Sequence, residues 1–167
     1  KMFADGELDS QLLHFDARIK ANKLFFGPPE IPLLAKVQSL PMLNKDSIIV
    51  DVGGHIGHYT VFFKDFIDCK KLYYFEMNNQ ASNLVKYRYK DDPSVEVENY
   101  AVCDKNEEMI YYKHPSAEMN TLLSGTSSTK MLYTRTVSGI RLDNYFKDEK
   151  IDLVKLDVEG AEIKTLE

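Results

Sequence analysis

The sequence contains little of what marks metal-centred, disulfide-built or membrane-spanning proteins. Only two cysteines occur, Cys69 and Cys103. Neither has a CxxC neighbour or a His/Cys cluster, so neither a zinc site nor a disulfide framework is indicated, and no metal is expected. Free thiols in a reducing, cytoplasmic setting fit this usage. No apolar run approaches the roughly 20 residues of a membrane-spanning helix, and the start does not resemble a signal peptide. No long Lys/Arg run is present and the formal charge is −5, which argues against a surface built to track a phosphate backbone. Internal repeats and low-complexity segments are also missing.

What is present is an ordinary globular composition, 44% hydrophobic and 28% charged, at a length suited to one domain with its own core. Residues 1–46 read as a lead-in that packs on the domain, with a break at Phe25-Phe26-Gly27-Pro28-Pro29 and a short helical stretch around Ile31 to Leu40. Residues 47–167 form the domain proper. Short apolar runs of the buried parallel-strand type recur at Ile48-Ile49-Val50, Leu72 to Phe75, Val95 to Val102 and Ile151 to Leu156, with helical patterns after the first, second and fourth. The first helix is expected over Ile56 to Phe66 with Val61, Phe62 and Phe66 inward; the second, capped by Asn78 or Asn79, runs to Tyr89. This βαβ rhythm predicts an α/β, Rossmann-like, mainly parallel sheet. Met109 to Lys113 and Leu132 to Val137 predict a hairpin-like insertion before the fourth core strand, with a mobile polar tip. The chain starts at Lys1 and stops at Glu167 within a helical pattern. The expectation is therefore an incomplete domain that continues with a further strand, helix and antiparallel hairpin.

The strongest constellation is Val50-Asp51-Val52-Gly53-Gly54-His55-Ile56-Gly57, where a strand ends and a helix begins and where glycines let backbone approach a ligand. It lacks the GxGxxG spacing of dinucleotide sites, which weakens a nicotinamide oxidoreductase reading. Asp51 beside the turn suits a ligand carrying an ammonium group better than a pyrophosphate; a strand-end aspartate that merely caps the turn is the plainer alternative. Glu76 closes the second strand about twenty residues beyond the turn, where an acid commonly accepts hydrogen bonds from ribose hydroxyls. Its plainer alternative is a solvated strand-end glutamate.

Four blocks in order, DVGGHIGHYT from Asp51, FEMNN from Phe75, NYAVCD from Asn99 and VKLDVEGAEIKTLE from Val154, resemble the FkbM-type methyltransferases. The resemblance covers most of Asp46 to Glu167 and implies a class I methyltransferase sheet with S-adenosylmethionine as cofactor. It implies that Asp51, Gly53, Gly54, His55 and Gly57 form the turn at the amino-acid end of the cofactor, with Tyr59 and Thr60 at the helix entrance. Glu76 then becomes the ribose ligand, flanked by Met77 and Asn78, and Ala101-Val102 part of the adenine pocket. Asp157 is the first candidate for general base and Glu159 the second; a helix cap with dipole-favoured acids is the alternative for that block. The pattern departs from the family at His55, usually Asn, and at Met77, usually Pro. His55 is as well explained by loop structure as by cofactor contact, and His58 is expected to face solvent. The implied reaction is methylation of a hydroxyl on a sugar, glycan or natural product. The insertion from Glu107 to Val137, including Asn120 and Ser124, reads first as a simple solvated hairpin, with folding over the acceptor as the lesser alternative. A non-catalytic binding or scaffold module on the same fold is the competing reading.

Overall fold

The structure is a computed structural model that describes residues 35–113, 122 and 133–166. Asn120, Ser124 and the tip of the insertion lie outside the described residues, as does most of the lead-in. Four short apolar runs form a wholly parallel sheet: β1 (Ile48–Val52), β2 (Lys71–Phe75), β3 (Val95–Glu98) and β7 (Leu153–Leu156), in the order β3-β2-β1-β7. The crossovers between β1, β2 and β3 carry α1 (His58–Phe62) and α2 (Asn79–Arg88). The next core strand then lands on the other side of β1. This reversal leaves a crevice outside the carboxyl ends of β1 and β7, the place where open parallel sheets hold ligands.

Alternation along the strands gives each face its own core. Ile49, Leu72, Tyr74, Phe62, Phe63 and Val85 bury one face beneath α1 and α2. Val50, Val52, Tyr73 and Phe75 bury the other beneath α3 (Leu142–Phe146), whose Leu142, Tyr145 and Phe146 pack on it at helical spacing. Phe75 and Tyr145 meet edge-on with centroids 5.1 Å apart, and Tyr73 and Phe146 at 4.9 Å; each fully buried ring contributes roughly 1.5–3 kcal/mol. The hydroxyls of this aromatic layer reach its rim, where Tyr73 donates to Glu149 and the single Tyr145 proton is shared between Glu96 at 2.7 Å and Glu98 at 3.1 Å. Burial, aided by Glu149, pushes the Tyr73 phenol up to about 12.

The insertion is an antiparallel pair, β5 (Glu108–Lys113) with β6 (Tyr133–Ile140), as its strand-forming composition predicts. The apolar run from Val95 to Val102 is two strands, not one. Asn99 donates from Nδ2 to the carbonyls of Glu76 and Met77 at 2.7 and 3.1 Å. Past it the chain leaves β2, and β4 (Ala101–Val102) pairs instead with Gly139 and Ile140 of β6. The first helix also departs from expectation. After Phe62 it continues as a π-helical turn, Phe63–Ile67, which widens the winding and rotates the inward positions. Phe63 and Ile67 are buried, and Phe66 is 47% exposed. Asn78 caps α2 by accepting from the Gln80 amide at 3.1 Å, and the helix closes at Tyr89. Among the described residues, no helix is long and apolar enough to cross a membrane.

Candidate functional site

The expected site residues from β1 and β2 converge at the strand ends that border the crevice. Register aligns Asp51 with Lys155 on one side and with Tyr74 on the other, all on the α1 face. Asp51 is fully buried, so its carboxylate survives only if its oxygens are partnered. Oδ2 accepts from the Thr60 hydroxyl at 2.8 Å. Oδ1 receives no hydrogen bond and faces the Lys155 ammonium at 3.3 Å. Thr60 is itself fully buried, so it acts on the crevice through Asp51. Thr60→Val keeps its shape and leaves Oδ2 without a donor. The variant should lose about 1–3 kcal/mol of stability, read as a lower urea midpoint with unchanged slope.

The turn after β1 winds through left-handed backbone at Gly53 (φ 67°), His55 (φ 47°) and Gly57 (φ 89°). The glycines answer to the protein itself. A Cβ on Gly53 would overlap the carbonyl oxygen of Asp157, one on Gly54 would overlap the Tyr74 ring, and one on Gly57 would stand 3.0 Å from Val85 Cγ2. The turn is thus wedged between the end of β7, β2 and α2, and close internal approach alone already demands glycine at these positions. His55 is half-buried and held by its backbone: its amide donates to Glu76 Oε2 at 2.9 Å, and its carbonyl accepts from the Tyr74 hydroxyl. His58 is half-buried too, with Nε2 shielded from solvent, contrary to the solvent-facing expectation. Tyr59 places its ring 4.9 Å from the Lys155 ammonium, a cation–π distance.

Glu76 is only 7% exposed, which removes the solvated strand-end alternative. Its oxygens are fixed by the amides of His55, at 2.9 Å to Oε2, and Asn78, at 2.7 Å to Oε1. Burial raises its pKa, opposed by those two amides and by Lys155. Each oxygen keeps a lone pair, so the group can still accept from neighbouring hydroxyls. Met77, at the position where the family pattern has Pro, packs against the cluster of Ala101, Tyr111 and Val137 at the base of the hairpin. Ala101 and Val102 are both buried; Ala101 belongs to that cluster and Val102 to the core beneath α3.

At the end of β7, the Asp157 carboxylate is 57% exposed and 3.8 Å from Lys155. Glu159 is exposed in the following turn, with φ 53°. The capping role considered for this block belongs to Glu162, whose Oε1 accepts from the amides of Val158 and Gly160 at 3.0 and 3.3 Å. Those bonds hold the Glu162 pKa below the ordinary range against the cost of burial. Sequence reasoning passed over Lys155, Tyr74 and Asn99 as site-builders. Lys155 carried one usable signal, a single cation in the apolar strand LVKL. Among the described residues, no group of three or more His, Cys, Asp or Glu side chains is placed to hold a metal.

This arrangement offers converging oxygens for a cation at β1, a fixed acceptor for hydroxyls at β2, and a half-exposed carboxylate at β7. Comparison with known proteins fits that geometry. A search of curated proteins finds no match. Methyltransferase FkbM from Methylobacillus flagellatus KT has a solved structure that superposes with a TM-score of 0.50 at 14% identity, over 74% of this chain and 28% of that one. An rRNA methylase from Streptococcus thermophilus gives 0.36 at 25% identity over 42% and 39% of the two chains. TYW2 of M. jannaschii, solved in complex with AdoMet, gives 0.35 at 18% identity over 47% and 37%. The chain therefore spans well under half the length of each of these proteins. The model of the methyltransferase FkbM domain family matches residues 51–167, more than half of the chain, from the end of β1 through β7, and the chain belongs to that family.

Proposed function

We propose that this chain forms the cofactor-binding part of an S-adenosylmethionine-dependent methyltransferase that methylates a hydroxyl on a sugar, glycan or natural product. One observation carries the reading: Asp51 Oδ1 and the carbonyls of Val52 and Gly53 gather around the Lys155 ammonium, at 3.3, 3.2 and 2.9 Å, and so form a cation-binding set one strand away from the anchored carboxylate of Glu76. A cofactor with an amino-acid end and a ribose needs such a pair of acceptors at such neighbouring strand ends. The residues fit it: Asp51 and the β1-end carbonyls would hold the ammonium, Glu76 the ribose hydroxyls, and Ala101-Val102 would border the adenine. His55, Met77 and Asn78 would support this set through the backbone bonds around Glu76.

S-adenosylmethionine supplies an electrophilic methyl group on a sulfonium. The protein's contribution is chiefly positioning, because in-line transfer depends on near-attack geometry. An acceptor hydroxyl must also give up its proton; Asp157, half-exposed at the end of β7, is the first candidate for that base and Glu159, next along the turn, the second. Titration of the full-length protein with S-adenosylhomocysteine by calorimetry should give saturable binding. Absence of both heat and thermal stabilisation would refute the cofactor assignment. Binding without transfer to any acceptor would favour the scaffold reading. Acceptor class is read by incubation with methyl-labelled cofactor: label on saccharide hydroxyls is expected, and label on RNA alone would overturn that part.

A further inference from the structure

Lys155 occupies an unusual place. Its side chain is 14% exposed, and its Nζ donates to Gly53 O at 2.9 Å and Val52 O at 3.2 Å, pairs with Asp51 Oδ1 at 3.3 Å and lies 4.9 Å from the Tyr59 ring. Asp157 Oδ2 stands at 3.8 Å on the open side. Three converging oxygens thus surround one ammonium, supplied by the chain itself. The same three oxygens form the set assigned above to the ammonium of the cofactor, and two cations cannot share it, because like charges at such separations in a poorly solvated crevice repel strongly.

We infer that Lys155 is an internal occupant of the ammonium position, exchanged for the cofactor's own ammonium on binding and withdrawn toward Asp157. The inference rests on the cofactor reading above. Its physical logic is charge conservation at Asp51. That carboxylate is fully buried, and a buried charge that loses its partner is strongly destabilising. With Lys155 in place the empty crevice keeps Asp51 paired, and exchange of one ammonium for another keeps it paired throughout. Asp157 is suited to receive the displaced group because its carboxylate is already adjacent and 57% exposed, where a lysine regains water. The exchange discounts the affinity of the cofactor's amino-acid end, because each new contact replaces one that Lys155 already made. Lys155 is on this account a positioning and specificity residue, not a catalytic one.

The test compares S-adenosylhomocysteine, which has the amino-acid end, with methylthioadenosine, which lacks it. In the full-length protein, Lys155→Met should tighten S-adenosylhomocysteine by about tenfold or more and leave methylthioadenosine within about twofold. Weaker binding of S-adenosylhomocysteine alone would make Lys155 a direct cofactor contact and overturn the exchange. An equal shift for both ligands would make it purely structural and overturn it too. A second measurement needs no variant: acetylation of Lys155 in the wild-type protein, followed by mass spectrometry, should accelerate with S-adenosylhomocysteine and not with methylthioadenosine. Protection of Lys155 by S-adenosylhomocysteine would refute the withdrawal even if Lys155→Met fails to fold. The two readings fail separately. Loss of binding by the wild-type protein to both ligands defeats the cofactor assignment and this inference with it. Wild-type binding with the wrong response at Lys155 defeats this inference alone.

Discussion

Glu76→Ala should lower affinity for S-adenosylhomocysteine by about a hundredfold or more while the protein remains folded. Hydrogen bonds to a charged acceptor are worth about 1.5–3 kcal/mol each, and a ribose offers two hydroxyls, so a loss of roughly 3 kcal/mol or more follows. The carboxylate also holds the turn: with it gone, the amides of His55 and Asn78 lose their acceptor, and the backbone between β1 and α1 is no longer pinned to the end of β2. Glu76→Gln retains an acceptor oxygen for one of those amides and should lose less. Calorimetric titration of both variants, with circular dichroism to establish folding, checks the ordering. Binding by a folded Glu76→Ala protein within about threefold of wild type would remove Glu76 from the ligand site.

Gly53→Ala should be the most destabilising single methyl addition in the crevice, at more than about 3 kcal/mol. Two penalties combine. The left-handed backbone at φ 67° disfavours any residue with a Cβ by roughly 1–2 kcal/mol. The added carbon also overlaps the carbonyl oxygen of Asp157, which is main chain and cannot swing aside as a side chain would. The ends of β1 and β7 would have to part, breaking the bond from the Asp157 amide to the Val52 carbonyl at 3.2 Å. Gly57→Ala is the control. Its φ of 89° carries a similar backbone penalty, but the new carbon meets Val85 Cγ2 at 3.0 Å, a methyl that a small rotation can relieve. Urea unfolding should rank Gly53→Ala well below Gly57→Ala, and equal midpoints would show that the wedge against Asp157 is not limiting.

Much of this crevice was legible before folding because its parts are local. Apolar runs between turn signals located β1, β2 and β7, the side-chain chemistry of Asn78 marked the start of α2, and the spacing between the glycine turn and Glu76 paired two strand ends. The misreadings have two sources: local features too slight to register, and partners distant in the chain. Phe66 turns outward because a π-helical turn shifts the inward face to Phe63 and Ile67, and no periodicity rule signals that extra residue. The run from Val95 to Val102 splits because the Asn99 side chain binds the loop after β2. The short helix Leu142–Phe146 showed only one apolar triplet, Leu142, Tyr145 and Phe146, too brief to stand out. Lys155 stands in the sequence only as one member of an apolar strand until register sets it beside Asp51. The glycines were recognised as necessary, and packing against Asp157, Tyr74 and Val85 adds a reason that the sequence does not display.

The joint between the hairpin and the loop carrying Glu76 has a consequence for how such a protein can diversify. Met77 and Met109, with Leu122, pack about the buried Ala101, Tyr111 and Val137. Unbranched thioether side chains re-fit to altered neighbours at little cost. The hairpin can therefore accumulate substitutions while the methionines absorb the change in shape before it reaches Glu76. Change at the hairpin and constancy around Glu76 can then reside in one domain, separated by a compliant seam.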